Sequence, residues 1–292
     1  MKVAVIGAGI MGSGIAQVAA AAGHSSVVGD VSEQALEVAR ASIEKSLGRL
    51  VKSGRTTPAE SAQTLARLEL TADIARAATG AEVVVEAVPE RLGLKRDVLS
   101  EVIRLARPDA LLGTNTSQLS ITSISTTLGD AAGRLVGMHF FNPPVMMRLV
   151  ELVRGLATTD ETLQRAREFA EGLGKQVVVC RKDSPGFLTS RVSAILRLEC
   201  LRMLEEGLAS AEDIDTAVKL AFNHPMGPLE LGDFNGLDTY LEAVDGLAAA
   251  HGDRFRATVG LRNMVAAGRL GRKTGRGFYR YASDGTRQAD GG

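Results

Sequence analysis

Apolar residues recur along this chain in short runs separated by longer segments with helical spacing. Lys2-Val-Ala-Val-Ile6 is the first run, rich in β-branched residues, and it leads into a glycine-rich stretch and an alanine-rich segment ending at Gly23. That order predicts strand, tight loop and helix. Ser26-Val-Val-Gly-Asp30 predicts a second strand, after which Ser32 is placed to cap a long helix stopped by Gly54. Thr57-Pro-Ala-Glu60 reads as a capping box with proline at the first helical position. Further runs at 81–88, 110–113, 134–140, 148–153 and 176–180 alternate with helix-like segments, notably 91–106 and 160–173. Alternation of this kind predicts an α/β fold: a doubly wound, mostly parallel sheet of Rossmann type with helices on both faces. After Cys180, Ser184-Pro185 reads as another cap, and later segments keep helical spacing with no strand-like run. The expectation is an α/β domain over 1–183 and an all-helical domain over 184–292.

The length of 292 residues suits one large or two medium domains. Lys+Arg 34 balances Asp+Glu 34, so no global field draws the chain to nucleic acid or an anionic membrane surface, and neither partner is expected. Val3 to Gly29 carries no charged side chain and is long enough to imitate a membrane span. Glycines at 7, 9, 12, 14 and 23 fragment it into strand, loop and helix. Cys180 and Cys200 are too few for a disulfide framework and lack metal-ligand spacing, which fits core residues of a cytoplasmic protein. His24, His139, His224 and His251 lie far apart and form no local ligand pair, so no metal is expected.

Gly7-x-Gly9-x-x-Gly12 follows a predicted strand and opens a predicted helix, and Asp30 ends the next strand. Gly7 permits the tight turn, Gly9 lets backbone approach a pyrophosphate, and Gly12 allows close helix packing. The helix N-terminus then offers free N–H groups to phosphate oxygens. Asp30 can accept both ribose hydroxyls and would repel a 2′-phosphate, and no arginine follows it before Arg40, so NAD is favoured over NADP. The expected cofactor contacts here are Gly7, Gly9, Ile10, Met11, Gly12 and Asp30. The plainer alternative is a structural glycine turn beside a chance acidic residue.

Period-two alternation places Leu135, Gly137, His139 and Phe141 on one strand face, and Leu149, Glu151 and Val153 on another. A buried carboxylate needs a partner. If the 142–145 segment turns the chain so that the strands meet, Glu151 can hold one ring nitrogen of His139 and leave the other for a substrate proton, a general-base dyad. A satisfied core histidine, with Glu151 paired to Arg148 or Arg154, is the alternative.

Several motifs in order resemble the L-3-hydroxyacyl-CoA dehydrogenases, most closely the bacterial 3-hydroxybutyryl-CoA dehydrogenase type. They include Gly7-Ala-Gly-Ile-Met-Gly12, Val84-Val-Glu-Ala-Val-Pro-Glu90, Thr114-Asn-Thr-Ser117, His139-Phe-Phe-Asn-Pro143, Lys182-Asp-Ser-Pro-Gly-Phe187, His224-Pro-Met-Gly-Pro228 and Gly271-Arg-Lys-Thr-Gly-Arg-Gly-Phe-Tyr279. The resemblance implies an NAD-dependent oxidoreductase that interconverts 3-hydroxyacyl-CoA and 3-oxoacyl-CoA. It implies His139 as general acid/base, Glu151 as its orienting partner, and Ser117 as the hydroxyl that hydrogen-bonds the reacting oxygen. Glu90, Lys95 and Asn142 would line the nicotinamide side of the site, and Lys273 would contact the cofactor. Ser190 stands where the family commonly has asparagine, so either substrate orientation is weakened or a water or Asn223 supplies the missing hydrogen bond. Ser46 and Lys52 would approach CoA.

Independently of the resemblance, Lys45, Arg49 and Lys52 share one face of the helix before Gly54, opposite Ile43, Leu47 and Leu50. Such a face suits nucleotide phosphate or is merely solvated. By the resemblance, segment 229–241 would bury apolar surface in a homodimer. Two other readings share the motifs: a dehydrogenase of a non-CoA hydroxy acid, and a non-catalytic NAD-binding protein.

Overall fold

Val3, Ala4 and Val5 have no exposed surface, and every pairing partner of their strand is a run of the same kind. In a parallel sheet covered on both faces, each buried valine side chain is worth about 1.5–3 kcal/mol, which selects continuous apolar runs over alternating ones. The computed structural model describes residues 1–288 and divides into two compact units, Met1–Ser184 and Pro185–Gly292.

The first unit runs β1 (Lys2–Ile6), α1 (Ile10–Ala21), β2 (Ser25–Gly29), α2 (Glu33–Lys52), α3 (Pro58–Ala66), β3 (Leu68–Thr71), α4 (Ile74–Ala78), β4 (Val83–Glu86), α5 (Leu92–Val102), β5 (Leu111–Thr114), α6 (Ile121–Ser125), β6 (Leu135–Phe140), β7 (Leu149–Val153), α7 (Asp160–Gly172) and β8 (Gln176–Cys180). The strand order is β3-β2-β1-β4-β5-β6-β7-β8, parallel throughout except for the β6·β7 pair. β3 escapes sequence detection because Leu-Glu-Leu-Thr is a four-residue edge strand, only half-buried, with no continuous apolar run. The Ser32 cap and the Thr57–Glu60 capping box both form, the latter with reciprocal bonds from the Glu60 N–H to Thr57 Oγ1 at 3.2 Å and from the Thr57 N–H to Glu60 Oε2 at 2.8 Å.

The second unit is helical: α8 (Thr189–Glu205), α9 (Ala211–Phe222), α10 (Pro228–Asn235), α11 (Leu237–His251) and α12 (Val259–Ala266), followed by a tail held by isolated bridges. Ser184-Pro185 does not open a helix. Gly186 and Phe187 take φ of +78° and +47°, left-handed geometry that interrupts a helical path, and α8 starts only at Thr189. Within segment 229–241, Leu229 and Leu237 are 1% and 0% exposed in the unit's own core, because Pro228 starts α10 with that face inward, while Phe234 is 51% exposed.

Two buried aspartates organise this unit. Asp215 on α9 accepts the N–H groups of Leu229 and Glu230 at 2.8 and 2.9 Å, capping α10, and the Tyr279 hydroxyl at 2.7 Å. Asp233 on α10 accepts the N–H groups of Phe278 and Tyr279 at 3.0 and 2.9 Å and the Tyr281 hydroxyl at 3.1 Å, which pins the tail. A Cβ at Gly277 would stand 1.9 Å from Asp233 Oδ1, so only glycine admits this contact. Burial pushes the Asp233 carboxyl above the usual carboxylate range, outweighing its three donors.

Because Asp233 binds its proton more tightly in the folded chain, its contribution to stability is full below about pH 4 and declines as pH rises through the folded-state value. Asp233→Asn presents an amide N–H₂ to backbone donors and should cost about 1–3 kcal/mol. In urea unfolding, the gap between wild type and Asp233→Asn should be wider near pH 4.5 than near pH 7.5.

Candidate functional site

The glycine loop is fixed by its own sterics. Gly7 has φ +111°, and a Cβ there would meet the Ala87 carbonyl oxygen at 2.6 Å. A Cβ at Gly12 would stand 1.8 Å from the Gly7 carbonyl oxygen, so loop and helix touch backbone to backbone. A Cβ at Gly9 would meet nothing within 4 Å, and Gly9 is the N-cap of α1 with no side chain on the first-turn N–H groups. Ile10 beside it is exposed and Met11 half-buried. Asp30 lies just past β2, where its Oδ2 accepts the Ala8 N–H at 2.7 Å and its Oδ1 the Ser32 N–H at 2.9 Å. An open cradle at Gly9 with an aimed carboxylate beside the loop fits the pyrophosphate and adenosine ribose of a dinucleotide.

His139 and Glu151 are register partners across the antiparallel β6·β7 pair, so their side chains share a face. The His139 Nδ1 and Glu151 Oε2 are 2.9 Å apart, with His139 7% and Glu151 0% exposed. The imidazole packs against the Phe141 ring, with centroids 4.4 Å apart. Gly137 makes the strand pairing possible, since a Cβ there would lie 2.8 Å from both Ile121 and Val153. The turn beyond β6 is seated on α1, because Pro144 fills the space that a Cβ at Gly14 would need. Asn142 is exposed on that turn.

Ser117 lies in the loop that leaves β5 and is half-buried. Its N–H donates to Glu90 Oε1 at 3.0 Å, as does that of Gln118 at 3.2 Å, and the Thr116 hydroxyl donates to the same oxygen. Asn115 Oδ1 accepts the Phe140 N–H at 2.8 Å, which ties this loop to the end of the His139 strand. Asp183 accepts the Ser120 hydroxyl at 2.6 Å and the Thr122 N–H at 2.7 Å, closing the loop's far end.

Lys95 sits on α5. It is 1% exposed and its Nζ donates to Glu86 Oε1 at 2.8 Å and to the Val88 carbonyl at 3.1 Å, because a carboxylate with no exposed surface draws the ammonium inward. Ser46 is 8% exposed, on the same α2 face as Ile43 and Leu47, whereas Lys45, Arg49 and Lys52 are exposed.

Near that helix's C-terminal end the structure opens a cavity of about 480 Å³ that sequence reading missed. Arg55, Arg148 and Lys175 line it over a floor including Leu47, Leu50 and Met146, and no carboxylate lines it. The Arg55 guanidinium donates to Met146 Sδ at 3.1 Å, and burial holds the Lys175 ammonium below the usual lysine range. These cations come from three separate stretches, so no local motif announces them.

In the second unit, Ser190 sits in the first turn of α8 and is half-buried. Asn223 is the left-handed C-cap of α9, with φ 54° and ψ 39°, a conformation asparagine tolerates better than most residues. Lys273 is held by Asp238, with its Nζ 2.7 and 2.6 Å from the two carboxylate oxygens.

Comparison with known proteins gives consistent matches over both units. The model of the 3-hydroxyacyl-CoA dehydrogenase NAD binding domain matches residues 2–184, and that of the 3-hydroxyacyl-CoA dehydrogenase C-terminal domain matches residues 186–281. A probable 3-hydroxybutyryl-CoA dehydrogenase of Deinococcus radiodurans is 44% identical over 282 residues, covering 96% of this chain and all of that one. A 3-hydroxybutyryl-CoA dehydrogenase of Bradyrhizobium diazoefficiens is 41% identical, covering 96% and 95% of the two chains. The crystal structure of (S)-3-hydroxybutyryl-CoA dehydrogenase from Ralstonia eutropha superposes with a TM-score of 0.92 at 40% identity, over 96% of this chain and 99% of that one.

The two loop glycines should separate cleanly on substitution. Gly9→Ala should leave the thermal midpoint within about 2 °C of wild type, since small surface changes cost under about 0.5 kcal/mol, and weaken NADH binding at least about tenfold in a fluorescence titration. Gly12→Ala should lower both, by about 1–3 kcal/mol in stability.

Proposed function

The chain belongs to the 3-hydroxyacyl-CoA dehydrogenase family, and from that premise we propose that it interconverts (S)-3-hydroxyacyl-CoA and 3-oxoacyl-CoA with NAD, acting on short acyl chains such as 3-hydroxybutyryl-CoA. The observation that carries this reading is the 2.9 Å contact between His139 and the buried Glu151. A carboxylate accepting at Nδ1 puts the neutral ring's proton there and makes Nε2 the basic nitrogen.

In the oxidation, His139 takes the hydroxyl proton of the substrate at Nε2, and Glu151 stabilises the imidazolium that results. The Ser117 hydroxyl hydrogen-bonds the same oxygen and holds it toward the histidine. Bound NAD supplies the hydride acceptor. Gly7, Gly9 and Gly12 admit its pyrophosphate, Asp30 takes its adenosine ribose, and Glu90, Asn142 and Lys273 are its remaining contacts. In reduction of the ketone the same imidazolium returns the proton.

Ser190 and Asn223 are the second unit's contribution to substrate orientation. The cavity lined by Arg55, Arg148 and Lys175, with Lys52 nearby in sequence, receives the phosphate-bearing end of CoA: three cations without a carboxylate form a locally positive surface.

The enzyme is proposed to be a homodimer formed through the helical unit. There Leu188, Val192 and Phe222 are 44%, 65% and 65% exposed, and an apolar groove of about 380 Å³ runs between α8 and the start of α10. Among the described residues no helix is long and apolar enough to cross a membrane. With both cysteines buried, a reducing cytoplasm is the proposed compartment.

NADH oxidation should be rapid with acetoacetyl-CoA and slow with free acetoacetate or with NADPH. His139→Ala should lower kcat by about 10²–10⁴-fold while NADH affinity stays within about twofold. Loss of both would make His139 structural. Arg55→Ala/Arg148→Ala should raise KM for acetoacetyl-CoA about tenfold or more with little change in KM for NADH, and an unchanged KM would move the CoA end elsewhere. Light scattering showing a monomer at assay concentration would overturn the dimer.

A further inference from the structure

We propose that Glu86, the carboxylate without exposed surface at the end of β4, is a positioning residue that sets where Ser117 stands relative to His139. The inference rests on the reading above, in which Ser117 hydrogen-bonds the reacting oxygen. Glu86 touches neither residue; it acts along two routes that meet in the loop over 114–120.

The first route is through the strand end. Glu86 Oε2 accepts the Thr114 hydroxyl at 2.6 Å, and Thr114 is the last residue of β5, from which the Ser117 loop departs. The next residue, Asn115, holds the Phe140 N–H at 2.8 Å, one position past His139. The second route is through charge. Glu86 Oε1 accepts the Lys95 ammonium at 2.8 Å and the Val88 N–H at 2.7 Å, and the same ammonium lies 3.3 Å from Glu90 Oε2. The other oxygen of Glu90 takes the N–H groups of Ser117 and Gln118 and the Thr116 hydroxyl. Thr114, Glu86, Lys95, Glu90 and Ser117 thus close a ring of contacts around the loop, and displacement of Ser117 strains every link.

A buried ion pair of this kind is a weak device for stability, since apolar replacements of equal volume serve as well or better. Its use here is placement. Lys95, fixed by Glu86 on its buried side, presents a positive charge to the half-exposed Glu90, which keeps that carboxylate turned toward the loop instead of toward water.

The test compares Lys95→Met with the double variant Glu86→Gln/Lys95→Met, which removes both charges together and so leaves no buried charge uncompensated. Amide hydrogen exchange in the ligand-free protein, read over 114–120, should quicken about tenfold or more in both variants while β1 stays as protected as in wild type. In the NADH-dependent reduction of acetoacetyl-CoA, kcat should fall about 10–100-fold, and the double variant should stay slow even where its thermal midpoint returns to the wild-type value. Unchanged exchange over 114–120 in the folded double variant overturns the proposal whatever the assay reads. Recovery of both exchange protection and kcat in the double variant overturns it too, leaving the pair a structural contact. A wild type that fails to reduce acetoacetyl-CoA speaks against the reaction, while the exchange measurement still decides the role of Glu86.

Discussion

Glu151 has no exposed surface, and its carboxylate lies 2.9 Å from His139 Nδ1 because β6 and β7 are the one antiparallel pair in the sheet. A charge out of reach of water must be held by its neighbours, so the register of these two strands is strongly determined. A slip of one residue would turn His139 to the opposite face and leave the carboxylate buried against apolar side chains. Glycine at 137 permits the close approach on one side of β6, and the turn at 142–145 is set against α1 through Gly14 and Pro144 on the other. The strand that positions the imidazole is therefore tied to the helix that opens the glycine loop.

That coupling explains why so much of the first unit's side-chain polarity gathers at the same ends of the strands. Glu86, Thr114 and His139 lie at or next to the C-terminal ends of β4, β5 and β6, and Asp30 lies just past β2. In a parallel sheet these ends are where backbone groups run out of strand partners and where helix N-termini open. Each buried polar group there is answered: Thr114 and Lys95 by Glu86, Phe140 N–H by Asn115, Ala8 N–H by Asp30.

Much of this was legible in the sequence, and the reasons are local. Val3 to Ile6 shows its strand because a doubly covered strand must be apolar throughout, and Thr57 to Glu60 shows its helix start because a capping box is complete within four residues. The glycine motif is legible because its constraint, loop against helix backbone, acts within six residues. What the sequence did not disclose depends on partners far along the chain. β3 is half-buried at an edge, and its alternation lasts only four residues. Nothing in the sequence pairs Lys95 with Glu86, nine residues before it, until the ion pair is seen. Ser46 shares a helix with exposed bases, yet lies three residues past Ile43 and one before Leu47, on the stripe that faces inward. Segment 229–241 reads as a surface with few charges until Asp215 and Asp233 are seen to hold α10 to the unit's interior.

The two units solve the same physical problem in opposite ways, and this bears on where chemistry can be placed. In the helical unit Asp215 and Asp233 are answered mainly by backbone N–H groups and tyrosine hydroxyls, neutral donors that fasten a tail while burial raises the Asp233 pKa against them. In the α/β unit the buried carboxylates Glu86 and Glu151 are answered by ionisable partners, Lys95 and His139. A neutral donor set stabilises one geometry and has no proton to give. An ionisable partner lets the carboxylate govern where a proton or a charge resides, and it does so at strand ends that the sheet holds rigid. Residues that must move a proton therefore belong on the sheet.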